Sequence, residues 1–372
     1  MDVIEFDFDD TLTAALLQLR RAVQGEPPIH AAARDATTAY LLSRAHPFFG
    51  RPGNRHRRFA IARGAGIAAH ALAFVNAAMR DDAGAPVGAI GCFECQDDGD
   101  AARRVLDSAS DWLRANAGVR RILAPLDFDI WHDHRLMTRG FAAPAFIGEP
   151  RNPAWYPGLL AGAGFRPYRR WDSVEVPGSD ALAAIMARHA GKAQAAHRAG
   201  YRFAPMDPNR SADVRALHAA VTTAFSGFPA FTACSFEDYA AQTRGYAAIV
   251  DFRHALLLRS SDGAVAGFAV AFADAAPSAP GAPLDEPGRQ AIERSRAPGS
   301  RFVFHSIGVL PSAGTGHGLG GALVHETLAG LLRAGAQCVI FALMAQEGPG
   351  RRLLGPAALH AQREYVLFER EA

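Results

Sequence analysis

The chain has 372 residues, 49% of them apolar and 20% charged, with a formal charge of +2. That length admits two domains of ordinary size, each with its own core, and the composition excludes a disordered or fibrous chain. A charge so near neutral argues against nucleic acid or an anionic membrane as the main partner. Lys192 is the one lysine among 39 basic residues, which limits any chemistry that needs a lysine. The acidic start Met1-Asp-Val-Ile-Glu-Phe-Asp7 leads into no apolar run long enough for a signal or a span, so a cytoplasmic location is expected. Four cysteines do not make a disulfide framework, and the CxxC of Cys92 and Cys95 has no second pair beside it, so no metal site is expected.

Val3 to Phe8 reads as a strand, and a helix capped at Asp9 or Asp10 follows, carrying Leu12, Leu16, Leu17 and Leu19. The run Phe6-Asp-Phe-Asp-Asp-Thr-Leu-Thr13 resembles the first motif of haloacid-dehalogenase-type phosphatases, which would make Asp7 the nucleophile and Asp9 the acid and base. The later lysine and magnesium-binding acids of that family are missing from their places. The competing reading is an acidic helix N-terminus favoured by the helix dipole.

Strands are expected at Phe59 to Arg63, Ile67 to Asn76 and Val87 to Glu94, then a helix carrying Val105, Leu106, Ala109, Trp112 and Leu113 and closed by Gly118. A strand from Arg121 to Pro125, a turn-rich stretch to Pro153 and a strand from Trp171 to Val176 complete an α/β order with mixed pairing. Pro177-Gly-Ser-Asp180 interrupts the pattern, and the chain divides there into a domain of residues 1–178, a linker helix over 179–200 and a domain of residues 201–372.

The second half repeats the layout. Tyr201 to Pro205 reads as a strand, Ala212 to Phe225 and Phe236 to Arg244 as helices, and Ala255 to Arg259 and Val265 to Phe272 as strands. The stretch Ala273 to Ser300, rich in proline, alanine and glycine, reads as a loop. Then Phe302 to Val309 forms a strand, Pro311 stops it, and Leu319, Leu323, Leu328, Leu331 and Leu332 recur at helical spacing up to Gly335. Between strand and helix lie Gly314, Gly316, Gly318, Gly320 and Gly321, which let backbone N–H groups turn toward one point at a helix start and make an anion cradle. Strands from Cys338 to Met344 and from Arg363 to Glu369 close the chain.

Ile307-Gly-Val309, Pro311 and Thr315-Gly-His-Gly-Leu-Gly320 ahead of that helix resemble the GNAT superfamily of acyl-coenzyme-A-dependent N-acyltransferases. The resemblance implies that Ile307, Gly308 and Val309 pair with the pantetheine arm of acetyl-CoA. It also implies that Thr315, Gly316, His317, Gly318, Leu319, Gly320 and Gly321 hold its pyrophosphate. Thr315 stands where the family has arginine or glutamine. The first half, through His46-Pro-Phe-Phe49, Gly91-Cys-Phe-Glu-Cys-Gln-Asp-Asp98, Trp131 to Arg135 and Gly148 through Tyr156, resembles a second, divergent GNAT domain from a group of bacterial tandem acetyltransferase-like proteins. The implied fold is α/β (mixed α+β), two tandem GNAT-like domains, each a mostly antiparallel twisted sheet flanked by helices. Asp97 and Asp98 replace the glycine loop of the first half, and two carboxylates there would repel a pyrophosphate. The expected function is transfer of an acetyl group to an amine, with the coenzyme on the second half and the first half shaping the acceptor site. The alternative is a catalytically silent acyl-CoA-binding protein.

Strand alternation places His305 on the side of Val303, Ile307 and Val309, where many GNAT enzymes carry a glutamate base. A histidine could take a proton there at neutral pH, or it could be a hydrogen-bonded core residue. Tyr365 is the tyrosine available as an acid for the departing thiolate, with packing its competing role. His132 and His134 alternate and could share a face. The acceptor, a small-molecule or peptide amine, is not written in the sequence, and either a monomer or a homodimer is compatible with it.

Overall fold

The computed structural model describes residues 2–24, 28–81, 83–228, 230–240, 252–274, 301–314 and 318–372. In chain order the first half runs β1 (Val3–Phe6), α1 (Asp10–Gln24), α2 (Pro28–Leu41), α3 (Pro47–Gly50), β2 (Arg55–Arg63), β3 (Gly66–Arg80), β4 (Pro86–Cys95), α4 (Gly99–Ala117), β5 (Arg121–Ala124), β6 (Leu136–Arg139), α5 (Tyr156–Gly162) and β7 (Arg166–Pro177). The second runs α6 (Ser179–Ala187), α7 (Ala190–Arg198), β8 (Arg202–Pro205), α8 (Ser211–Phe225), β9 (Leu256–Arg259), β10 (Val265–Ala273), β11 (Arg301–Val309), α9 (Leu319–Arg333), β12 (Cys338–Ala345), α10 (Pro349–Leu354) and β13 (Arg363–Glu371).

The thirteen strands among the described residues join one sheet in the order β1-β2-β3-β4-β5-β13-β7-β12-β11-β10-β9-β8, with β6 pairing β13 to the side. The two halves are interlocked by an exchange of strands. β13, from the second half, lies between β5 and β7 of the first, antiparallel to both. β7, from the first half, lies between β12 and β13 of the second. Antiparallel strands satisfy the backbone groups of their neighbours, so each half lacks a partner for one strand until the other supplies it. The side chains at the crossing reinforce the ladder. Arg363 of β13 is fully buried, with its guanidinium 3.0 Å from Glu149 and 3.2 Å from Glu175 and donating to the Pro144 carbonyl.

Residues opposite one another in the ladder share a face, so Val339 and Phe341 of β12 meet Val176 and Val174 of β7 under one layer, and Tyr365 meets Trp171 on the other face. One face is covered by α4 and α5 over the first half and by α6, α7 and α9 over the second. The opposite face is covered by α1 over the first half and α8 over the second, whose cores adjoin at Leu343. The stretch expected as one linker helix is two helices, broken at Arg188 and His189, because both pack onto α9 and follow its surface. α2 and β6 carry no periodic signal strong enough to be read from the sequence. The stretch Ala273 to Ser300 falls, after Asp274, outside the described residues, as does the helix expected from Phe236 to Arg244 beyond Ala240.

The exchange predicts that the protein melts in one cooperative transition followed by circular dichroism. Ending the chain before Arg363 is expected to abolish that transition for both halves; survival of a folded first half would count against the interlock.

Candidate functional site

β11 and β12 pair in parallel only from Arg301 opposite Cys338 to Phe304 opposite Phe341. Beyond that the two strands part. β11 continues against β10, and β12 turns toward β7 through Leu343, whose φ is +55° and whose amide donates to Ser173 Oγ. The facing edges of residues 305–309 and 342–345 are therefore unpaired with each other, which leaves extended backbone that an elongated ligand can hydrogen-bond. The gap ends at the N-terminus of α9, where Gly318 adopts φ +66° and, among the described residues, no side chain caps the first turn. A Cβ at Gly320 would make ordinary contact with Leu353, at 3.7 Å, without a clash. The free amides and helix dipole at this point suit a phosphate.

Two glycines of the motif have another cause. A side chain at Gly321 would stand 2.6 Å from Lys192 Cδ and 2.7 Å from His189 Nδ1, so this glycine admits α7 against α9 instead of facing a ligand. Gly308 likewise clears the Phe268 ring, which a Cβ would meet at 2.5 Å. Lys192, which the sequence marked only by its rarity, thus runs along the first turn of α9, its Cγ 3.0 Å from the place of a Gly318 side chain. Thr315, Gly316 and His317 lie outside the described residues.

The first half has the same parting of strands and fills it. β4 and β5 pair only at Gly88 and Ala89. Past them, the Leu126 amide bonds to the Ile90 carbonyl at 3.0 Å, Asp127 Oδ1 takes the Cys92 amide at 2.7 Å, and Tyr156 Oη takes the Cys95 amide at 3.0 Å. Trp155 Nε1 donates to the Cys95 carbonyl at 3.2 Å. At the start of α4, Asp98 Oδ1 accepts from the amides of Asp100 and Ala101, so a carboxylate occupies the anion position. Of the two acids read in the sequence as hostile to a pyrophosphate, Asp98 takes this position.

His305 differs from its expected placement. A bulge between Phe304 and Ser306, opposite Val270 and Ala271, shifts the alternation. Ile307 and Val309 follow Phe302 and Phe304 onto the α9 face, while His305 stays with Val303 on the opposite face. There it lines a cavity of about 780 Å³ between the two halves, together with His46, Phe128, Asp129, His132, Arg135, Trp171, Tyr239 and Phe272. Burial, with the nearby Arg135 charge second, lowers the His305 pKa to about 4, so its imidazole is neutral across the physiological range.

Tyr365 is not part of this cavity. It is fully buried two strands from β12 and donates to Glu149 Oε1 at 2.6 Å, and burial followed by the Glu149 charge raises its pKa. A role as acid for the departing thiolate is therefore replaced by a structural bond. His132 and His134 both line the cavity with different partners: His132 Nδ1 lies 2.9 Å from Asp129 Oδ1, and His134 is buried against Trp171. Burial opposes the His132 charge, but the Asp129 bond and charge prevail and raise its pKa, while His46, stacked on Phe128, is lowered by burial to about 4. Asp9 caps α1 through the Leu12 amide and Asp7 faces His56 at 2.6 Å, the helix-start arrangement rather than a phosphatase pair. Among the described residues, no three metal-ligating side chains converge.

Asp127 supplies a test of the closed gap. Burial, then the charge of Asp133, raises its pKa to about 7. A carboxyl raised in the folded state costs stability as pH climbs from its unfolded value near ~4 to about 7, and the loss is complete above that. Asp127→Asn keeps an oxygen for the Cys92 amide and removes the charge. It is expected to stabilise the protein by up to roughly 4 kcal/mol at pH 8 and by little at pH 4, measured by urea unfolding; an equal effect at both values would refute the assignment.

Comparison with known proteins bears on the fold. No protein-family model and no curated protein matches the chain. Among solved structures, a conserved protein from Enterococcus faecalis V583 described as a probable N-acyltransferase shares 9% identity, covers 100% of this chain and 73% of its own, and has a TM-score of 0.54. A GCN5-related N-acetyltransferase from Anabaena variabilis ATCC 29413 shares 10% identity over 100% of this chain and 73% of its own, with a TM-score of 0.52. A tandem GNAT protein from the clavulanic acid biosynthesis pathway covers 100% and 98% at 12% identity and a TM-score of 0.49. Together with the repeated strand order and the two parted strand pairs, the first two likenesses establish the architecture: this chain shares the fold of these GCN5-related N-acetyltransferase structures, built twice within one sheet.

Proposed function

We propose that the protein is an acyl-CoA-dependent N-acyltransferase that takes acetyl-CoA at the parted strands of the second half and an amine in the cavity between the halves. The observation that carries this reading is the contrast between the two gaps. One is filled by the chain's own carboxylates, phenol and indole; the other keeps unpaired backbone beside an uncapped helix N-terminus. A gap left open in one copy of a duplicated fold, when side chains could close it, fits retention of a ligand.

The backbone of Ile307 to Val309 would hold the pantetheine arm, and Gly318, Leu319 and Gly320 would offer amides to the pyrophosphate, with the Lys192 ammonium near the same turn. When bound, acetyl-CoA supplies an acyl thioester, whose carbon bonds to the acceptor nitrogen as the carbon–sulfur bond breaks and sulfur leaves with the electron pair. His305 faces the cavity from the strand that borders the gap, and its Nε2 lies toward Gly148 on the opposite wall. A weak base suffices there, because a nitrogen already bonding to a carbonyl carbon releases its proton far more readily than a free ammonium. A silent acyl-CoA-binding protein is the second reading, favoured by the low proton affinity of His305.

Isothermal titration with coenzyme A and thiol release from acetyl-CoA in the presence of amines test the reading. Binding with release supports the enzyme, binding without release supports the silent protein, and no binding at millimolar coenzyme sinks both. Gly320→Asp, whose Cβ would make only ordinary contacts at 3.7 Å or more, is expected to weaken coenzyme binding about tenfold or more with an unchanged melting temperature, since it places a carboxylate in the first turn of α9 beside the pyrophosphate position. His305→Ala is expected to lower kcat about 100-fold with coenzyme affinity intact. Because His305 is already neutral above about pH 4, wild-type kcat/KM should rise through neutral pH with deprotonation of the acceptor and show no inflection that His305→Ala removes.

A further inference from the structure

Arg135 is the charge in the cavity that the fold does not use. Other well-covered arginines are neutralised: Arg20 faces Glu94 and Asp35, Arg301 faces Asp274, and Arg363 faces Glu149 and Glu175. Arg58, also buried, donates to the Leu42 carbonyl. Arg135 lines the cavity with its guanidinium 4.7 Å over the Trp171 ring, and among the described residues it makes neither an ion pair nor a hydrogen bond. Most carboxylates around the cavity are committed elsewhere, while Asp133, exposed and also in the lining, acts on Arg135 through its charge without an ion pair among the described residues. Asp129 takes His132, the Thr232 hydroxyl and the Trp131 amide, Glu149 takes Tyr365 and Arg363, and Asp172 takes Arg351 and Gln346.

A guanidinium removed from bulk water without an anion is costly, and burial lowers the Arg135 pKa to about 10. Such a group is held ready for a charge that arrives from outside. It sits near enough to His305 for its field to act on that imidazole. The planar fork of a single arginine matches one carboxylate in two parallel hydrogen bonds. A phosphate dianion would leave charge uncompensated beside Asp129 and Asp133. Polar groups including Asn76, Asp129 and His132 share the lining with a set of aromatic rings, Phe128, Phe225, Phe228, Phe252 and Phe272.

We infer that the acceptor is an amino carboxylate with an apolar or aromatic body, and that Arg135 of the first half binds its carboxylate while its amine lies toward His305. The inference rests on the acyltransferase reading for the fate of the amine, but the carboxylate contact can be tested without it. The pairing also divides the work between the halves, the first presenting the anion receptor and the second the strand gap. An acceptor lacking the carboxylate would leave Arg135 uncompensated and His305 under its full field.

The test uses the full chain and three probes of one shape, L-phenylalanine, L-phenylalaninamide and phenethylamine. With acetyl-CoA, phenylalanine is expected to exceed the other two in kcat/KM by about 100-fold, and Arg135→Gln to remove that preference while coenzyme titration is unchanged. Arg135→Lys, which keeps the charge and loses the fork, should recover part of it, and melting curves show whether each variant is folded. Equal use of the three probes, or a preference that survives Arg135→Gln, overturns the inference and leaves the acyltransferase reading standing. If coenzyme does not bind at all, the acyltransferase reading fails alone. Direct titration of phenylalanine into wild type and Arg135→Gln then decides the carboxylate contact, supporting it if only wild type binds and overturning it if neither does or both bind equally.

Discussion

Everything in this molecule hangs on the backbone hydrogen bonds of β7 and β13. Each of these strands is flanked on both sides by a strand of the opposite half or by the other exchanged strand, so the ladder runs unbroken from β1 to β8. Backbone groups inside a sheet have no alternative partner once water is excluded, and breaking either crossing would strand a row of donors and acceptors. The buried ion pairs of Arg363 with Glu149 and Glu175 fix the register at the crossing and tie down the 144–149 segment. The cavity exists because of this arrangement: the cores over β12–β10 and over β13–β3 lie on the same face and meet without a helix between them.

The duplicated unit shows how little is needed to abolish a ligand site while keeping a fold. In the first half, three side chains and one backbone amide satisfy the edge of β4, and Asp98 satisfies the start of α4. None of these changes disturbs the sheet. Gly91 marks the closure, since a Cβ there would meet the Leu126 carbonyl at 2.2 Å, a contact that arises because the chain after β5 returns across the gap. The first half then contributes walls, aromatic rings and charges to the cavity instead of a cradle.

The strands and helices were legible where periodicity was strong. β10, β11, α9 and β12 fall within a residue or two of their expected bounds, because alternation and leucine spacing there report a single buried face. The end of β7 at Pro177 was legible from its proline and glycine, but the strand exchange was not. Pairing across the junction is a long-range choice, and β7 and β13 carry the same local pattern whichever partner they take. His305 was legible as a residue of the right strand and mislocated by the bulge, which inserts one residue without a glycine or proline to announce it. Tyr365 was selected because it was the tyrosine near the C-terminal strands, and burial against Glu149 shows the weakness of choosing by elimination. Arg135 carried no signal beyond its neighbours Trp131 to His134, since a missing partner is visible only in three dimensions.

The order of strands along the chain has a consequence for synthesis. β13 is the last strand to be made, yet it sits between β5 and β7, which are finished about 240 and about 190 residues earlier. Until β13 arrives, the first half has two open edges beside a nearly complete core, and such edges are templates for pairing with another chain. The same geometry that makes the finished molecule one unit thus makes its nascent form dependent on protection, and the exposure lasts for as long as the ribosome takes to translate the second half.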